Sequence, residues 1–315
     1  MRMSSWKLCW TGSRTPSPKR WFTYLFRLAG RLKMIKGENP PSYSVFLDCN
    51  DSPGAKFIYA TLDVSVYDIL SQTCVPPFVQ SFFDHYKAVN HDGHTMSLLS
   101  VQVNELVNGV FIGRYMNHCL GDGTSSTLEG HGPIINLPHT NPDEFISRFE
   151  ASEFKETIFH FSVGSIAKLK AKANAECNCC NEISSLQSLS ALVWSIAGEL
   201  LERDLGWAAW KVHQAVTDYD DKAIHEFLNS WLRSPYVFQF GQLFDRFNKY
   251  GSEFGMGNAL ALRSGYANKF DGQISCYPGR EGGGSIDLEM CLSPDTMRAL
   301  ESNVKFMEAA GLTIT

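Results

Sequence analysis

No stretch of the 315-residue chain approaches the length of apolar residues that spans a bilayer. The longest candidate, Leu189 to Ala197, falls well short of the roughly 20 residues a spanning helix takes. A membrane-spanning role is set aside, and no membrane partner is expected. Acidic residues are missing from the start of the chain: the first is Glu38, and nine Lys and Arg residues precede it. The rest of the chain carries 19 basic against 33 acidic residues, a net charge of about −14. Such a surface repels phosphate backbones, so nucleic acid is not expected as a partner. A secretory signal is also missing, and the nine cysteines are odd in number. That usage fits reduced thiols in a cytosolic protein better than a disulfide framework. Cys177, Cys179 and Cys180 cluster without a second Cys or His pair at zinc-site spacing, so the run reads as a Cys-rich polar loop and no metal is expected.

What is present is the balance of a soluble globular protein, 44% apolar and 19% charged, with enough residues for one large domain or two ordinary ones. Residues 1–20, basic and rich in Ser and Thr, read as a disordered tail. An organelle transit peptide is the competing reading, but no clear amphipathic helix supports it. The expected location is the cytoplasm.

The pattern along the chain mixes helices and strands. Tyr24 onward reads as the end of an amphipathic helix running into Leu28-Ala29-Gly30-Arg31-Leu32. Asn39-Pro40-Pro41 breaks the chain ahead of a strand over Tyr43 to Leu47. Phe57 to Ala60 is a short extended run and Val66 to Leu70 a helical turn. Leu99, Val101 and Val103 alternate with polar residues, Asn108-Gly109 follows, and Val110 to Met116 runs back. Asn-Gly is the favoured pair for a two-residue hairpin turn, because both central residues then take positive φ. A strand over Ile158 to Phe161 precedes a helix that Ser162 caps, with Ile166, Leu169 and Ala173 on one face. Ser184 caps a second helix carrying Leu186, Leu189, Leu192 and Val193. Glu199 to Trp231 reads as largely helical. Strands then return at Ala259 to Leu262, Gln273 to Tyr277 and Ser285 to Leu292, and Pro294 opens a last helix. Irregular alternation of this kind predicts a mixed, layered α/β fold.

The hairpin delivers the chain to His118-Cys119-Leu120-Gly121-Asp122-Gly123. A histidine at a strand end, with a near-neutral pKa, can take a proton from a hydroxyl or amine as that group attacks a carbonyl. On spacing alone, a turn with an incidental histidine is the stronger reading, because four-residue His–Asp spacings are common. A second block, Glu253-Phe254-Gly255-Met256-Gly257, lacks the strand–loop–helix context of a phosphate cradle. A third, Pro278-Gly279-Arg280-Glu281-Gly282-Gly283-Gly284, reads as a flexible hairpin loop.

In this order the markers resemble the plant BAHD acyltransferase family: Leu28 to Leu32, then His118 to Gly123, then Phe254 to Gly257, and Asp271-Gly272 through Pro278-Gly279-Arg280 to Leu292. The branch it looks most like is the one labelled uncharacterised or hydroxycinnamoyl-type acetyltransferases. The resemblance implies a two-domain architecture like that of chloramphenicol acetyltransferase, with mixed sheets and flanking helices. The N-terminal domain would cover 21–150 and the C-terminal domain 151–315. It also implies transfer of an acyl group from acyl-CoA, a co-substrate and not a permanently bound cofactor, to a hydroxyl or amine of a small plant metabolite. His118 would be the general base and Asp122 and Gly123 structural supports. Glu253, Phe254, Gly255 and Gly257 would support the fold and CoA binding, and a monomer would suffice.

The chain departs from the family pattern in several places. Family chains are longer, the segment after Gly123 is abbreviated, and a piece is absent where Trp194-Ser195-Ile196 runs into Gly198. With that piece goes the arginine expected to pair with the motif's Asp. Glu253, Met256 and Asn258 replace the usual residues of their block. Gln242 and Phe244 stand where relatives carry an oxyanion-stabilising hydroxyl and a Trp; an amide can donate a hydrogen bond there and a phenyl ring cannot. A shortened relic of the family that binds a ligand or partner without turnover is therefore the alternative expectation, and a different reaction on the same scaffold, such as an elimination, is a weaker third.

Overall fold

A computed structural model describes residues 27–50, 52–71, 74–120, 135–139, 141–146, 148, 152–177, 182–197, 204–218, 221–235, 260–266 and 269–312. Arg27 and Leu28 are the last helical residues before a turn, so the run to Leu32 leads from a helix end into a strand. That strand, β1 (Arg31–Glu38), had no counterpart in the sequence reading. It pairs antiparallel with β2 (Pro41–Asp48) in a hairpin turning at Asn39 and Pro40. Most of the hairpin is exposed; Leu32 and Tyr43 are its buried anchors.

The next sheet has the order β3-β4-β5. β3 (Lys56–Thr61) runs parallel to β4 (Leu99–Leu106), and β5 (Gly109–Met116) returns antiparallel. Helix α1 (Val66–Leu70) follows β3. Its capping box is complete: the Ser65 side chain accepts from the Asp68 N–H, and the Asp68 carboxylate accepts from the Ser65 N–H. The β4–β5 turn sits one residue earlier than Asn108-Gly109 predicts. Leu106 pairs with Gly109, leaving Val107 and Asn108 in the turn, and neither has positive φ. Asn108 has another use, because its Oδ1 accepts the Val66 N–H at 2.8 Å and satisfies a free donor at the start of α1.

β4 buries its polar face. Ser100, Gln102 and Asn104 are buried, while Leu99, Val101 and Val103 are only half-buried. The reason lies in what covers the sheet: a six-residue 3-10 segment, Pro77–Phe82, whose carbonyls need donors. Gln102 donates to the Ser81 carbonyl at 3.0 Å, and Asn104 donates to the carbonyls of Phe82 at 3.2 Å and Phe111 at 3.3 Å. Gly113 of β5 lies so close that a Cβ there would sit 2.0 Å from the Phe82 carbonyl oxygen.

The third sheet is antiparallel with order β6-β8-β7, from β6 (Lys155–Phe161), β8 (Ile286–Leu292) and β7 (Gln273–Pro278). One face is apolar and carries helices. Phe159, Phe161, Leu288 and Met290 pack against α2 (Val163–Cys177), α3 (Ser185–Ala197), α6 (Pro294–Glu301) and α7 (Val304–Ala310). Ile166, Leu169 and Ala173 are the buried residues of α2, as their spacing predicts, and Ser162 accepts from the Ser165 N–H at its start. Ser184 forms a capping box with Gln187 at the start of α3. The expected helical stretch appears as α4 (Leu205–Thr217) and α5 (Asp221–Arg233).

Two expectations need correction. Residues 260–265 contain no strand; the Ser264 N–H goes to the Glu289 carboxylate at 3.2 Å instead of to a neighbouring strand. The thiols are not all reduced either. Cys49, Cys74, Cys119, Cys276 and Cys291 are free, but Cys177, which ends α2 at the Cys-rich run, is disulfide-bonded.

The other face of the third sheet is polar. Asp287 and Glu289 of β8 are buried there, and Glu289 lies 3.7 Å from the Lys269 ammonium, which also contacts Glu156. The two halves of the chain touch through a bridge between Cys74 and Thr157 and a hydrogen bond from the Val75 N–H to the Glu156 carbonyl. Among the described residues, no helix is long and apolar enough to cross a membrane.

Candidate active site

β5 ends at Met116, and the chain turns there into a short 3-10 segment, His118–Leu120. Asn117 makes the turn. It is buried, its N–H donates to the Leu98 carbonyl at 2.8 Å, and its side-chain amide donates to the Asn90 carbonyl at 2.8 Å while its Oδ1 accepts from the Cys119 N–H. Asn90 in turn accepts the His118 N–H through its Oδ1 at 3.1 Å. The backbone of His118 is thus fixed on both sides by two asparagines, while the residue itself is exposed. Gly93 makes this packing possible, because a Cβ there would come within 2.9 Å of the Asn117 side-chain amide.

His118 borders a cleft of about 250 Å³. One wall comes from β5 and the segment after Phe82; the other comes from β7 and residues 264–266. On the first wall His85 and Tyr115 meet edge to face at 4.7 Å. Burial pushes the Tyr115 phenol up to about 12, so it stays a protonated donor at neutral pH. Burial also pushes the His85 imidazole down, against the attraction of Asp84, and its Nε2 is 2.7 Å from the Ser97 hydroxyl. A neutral ring there serves structure. Burial is the largest single influence on Asp84 and opposes its ionisation, but the hydrogen bond from Lys56 at 2.9 Å, the Ser100 hydroxyl and the positive charge nearby together outweigh it and hold the carboxyl below its ordinary range.

On the second wall Ser264, Ser275 and Tyr277 offer hydroxyls. Ser264 donates through both its N–H and its hydroxyl to Glu289, and burial raises the Tyr277 phenol. Gln273 is buried and its amide is 3.4 Å from the Ser275 hydroxyl. With the Ser264 donors committed to Glu289, the cleft sets one exposed imidazole opposite the hydroxyls of Ser275 and Tyr277, groups able to serve as a proton acceptor and as donors to a developing oxyanion.

Of the residues singled out in the sequence, only His118 is placed in this cleft. Asp122, Gly123, Gln242, Phe244, Glu253, Phe254, Gly255 and Gly257 lie outside the described residues. Sequence reasoning missed His85, Tyr115 and Tyr277, which sit on irregular chain or edge strands and carry no spacing signal. Ser264 also stands on irregular chain, without a spacing signal. No group of three or more His, Cys, Asp or Glu that could hold a metal occurs among the described residues.

Comparisons with known proteins give the family. A model described as "Transferase family" matches residues 20–128 and 195–307. The chain belongs to this family, the BAHD acyltransferases. It is 27% identical to an uncharacterised acetyltransferase of Arabidopsis thaliana, an alignment that takes in 91% of this chain and 84% of that one. It is 23% identical to the A. thaliana BAHD acyltransferase DCR, over 90% and 77% of the two chains. Among solved structures it resembles TRI101 of F. sporotrichioides, crystallised with coenzyme A and T-2, with a TM-score of 0.61 at 11% identity, covering 93% and 92% of the chains. The alignment to the first relative spans 378 positions, so roughly 90 of them have no counterpart in this chain. Residues 129–194 of this chain, which the family model does not match, lie between the two places where the sequence reading finds pieces abbreviated or absent.

Proposed function

We propose that this chain transfers an acyl group from an acyl-CoA to a hydroxyl or amine of a small plant metabolite, with His118 as general base. The supporting observation is an exposed imidazole at the end of β5, held by Asn90 and Asn117, on the rim of a cleft walled by both halves of the chain. His118 accepts the proton of the acceptor as its oxygen or nitrogen attacks the thioester carbonyl. The tetrahedral intermediate then expels the CoA thiolate, and the proton passes to the sulfur. The halves correspond to residues 21–150 and 151–315, and since one chain supplies both walls a monomer suffices. Crystallisation of TRI101 with coenzyme A is consistent with acyl-CoA as the donor.

Purified protein given an acyl-CoA and a panel of alcohols and amines is expected to release free thiol only when an acceptor is present. A second reading, a relic that binds CoA without turnover, draws on the roughly 90 missing positions. Measurable CoA affinity with no thiol release across the panel would establish that reading in place of the first.

A further inference from the structure

The segment that runs along the first wall of the cleft contains both of the non-glycine residues with positive φ among the described residues, His85 at 57° and Lys87 at 56°. Left-handed backbone is unfavourable for such side chains and persists only where surrounding structure holds it. Here it is held by the His85 contacts and by the turn in which the Ala88 N–H donates to the His85 carbonyl at 3.2 Å. The result is that Tyr86 and Lys87 project together. Tyr86 meets Tyr266 of the opposite wall with ring centroids 4.8 Å apart, and both rings line the cleft. The Lys87 ammonium lies 4.9 Å from the Tyr266 ring centre and 5.5 Å from that of Tyr86. A cation over two ring faces is positioned without losing its hydrogen-bond donors.

Most other charges near the cleft are matched. Asp84 is matched by Lys56 and His85, and Lys269 by Glu156 and Glu289. Lys87 has no carboxylate partner among the described residues, and neither has Arg114, which lines the cleft from β5. In a chain whose body is strongly acidic, an unmatched, pre-placed cation at this position calls for an anionic ligand group.

We propose that Tyr86, Lys87 and Tyr266 form a subsite for a ligand that carries an anionic group next to a flat ring. The ring packs on the tyrosine pair and the anion takes the ammonium's hydrogen bonds. The subsite rests on the reading of this cleft as the one that receives the substrates. Two sources share this chemistry: the adenine nucleotide end of the acyl donor, and an aromatic carboxylate on the acceptor side.

Calorimetric titration of the full chain with adenosine 3′,5′-bisphosphate and, separately, with benzoate distinguishes them, with adenosine and benzamide as uncharged controls. One of the two anions is expected to bind more tightly than its control and to weaken with added salt. Lys87→Gln should lower that affinity roughly five- to tenfold, Lys87→Arg much less, and the uncharged controls should be unaffected. Tyr266→Leu should weaken binding, with Tyr266→Phe retaining it. Unchanged thermal unfolding of Lys87→Gln and Tyr266→Leu separates loss of the subsite from loss of the fold. The subsite is refuted if neither anion outbinds its control, or if Lys87→Gln leaves the affinity unchanged. Thiol release by the wild-type chain with an unaffected Lys87→Gln titration removes the subsite and leaves the transfer reading standing. Loss of anion binding in Lys87→Gln, with no thiol release from the wild-type chain, does the reverse.

Discussion

The two sheets that wall the cleft are built on opposite principles. The β6-β8-β7 sheet places an apolar face under helices, with Phe306 of α7 fully buried between Phe159 and Phe161 at 4.9 and 5.8 Å. The β3-β4-β5 sheet turns a polar face inward against irregular chain and leaves Phe57 and Tyr59 more than half exposed on the other side. Area removed from water anchors the first sheet, whereas side-chain-to-backbone hydrogen bonds fix the geometry of the second. The difference suits the proposed function, in which the second sheet presents His118 at a defined angle, because directional bonds set angles better than apolar contact does.

The largest effect that tests this contrast is in the helical layer. Phe306→Ala should cost about 3–5 kcal/mol, whereas Phe57→Ala on the open face should stay within about 0.5 kcal/mol; denaturant unfolding of the two variants measures both. Similar losses for the two would mean that the open face is covered in solution. Next comes Gly113→Ala, whose new methyl collides with the Phe82 carbonyl. Overpacking at a backbone atom should cost about 1–3 kcal/mol, and because β5 carries His118 at its end, thiol release should fall as well. A stable Gly113→Ala variant with normal turnover would show that the sheet accommodates the shift in spite of its bonds.

A smaller effect concerns pH. Burial lowers the folded-state pKa of His85, so the unfolded chain binds its proton more readily. The contribution of His85 to stability is then complete above the unfolded value of about 6.5 and declines as pH falls from there toward the lowered folded value. Unfolding curves of the wild type and His85→Gln between pH 7.5 and 5 should show a shallower acid decline in the variant. Parallel curves would place the acid sensitivity elsewhere.

The same contrast explains what could be read in advance. Elements of the helical layer announce themselves, because burial against helices leaves periodic apolar residues: Ile166, Leu169 and Ala173, or Leu288 and Met290. Ser162, Ser184 and Pro294 mark their boundaries for local reasons of capping. The β3-β4-β5 sheet was legible as strands but not as an arrangement. Alternation along β4 gives the two faces, yet not that Ser100, Gln102 and Asn104 face inward, because that depends on carbonyls of Ser81 and Phe82 some 20 residues away. The hairpin register slipped by one for a similar reason, since Asn108 answers to a donor on α1. Of the site, the histidine was legible from its motif and strand end. The residues opposite it were not, because Ser264, Ser275 and Tyr277 reach the cleft through pairing of β7 with β8, which no local pattern encodes.

The central claim, that His118 removes the acceptor's proton, is tested most directly by steady-state thiol release from an acyl-CoA by His118→Ala beside the wild type. The substitution lies on an exposed residue, so folding and CoA affinity should be retained. The account predicts acceptor-dependent release by the wild type and a fall in kcat of about 10²- to 10⁴-fold in the variant. Turnover by His118→Ala at the wild-type rate would contradict it.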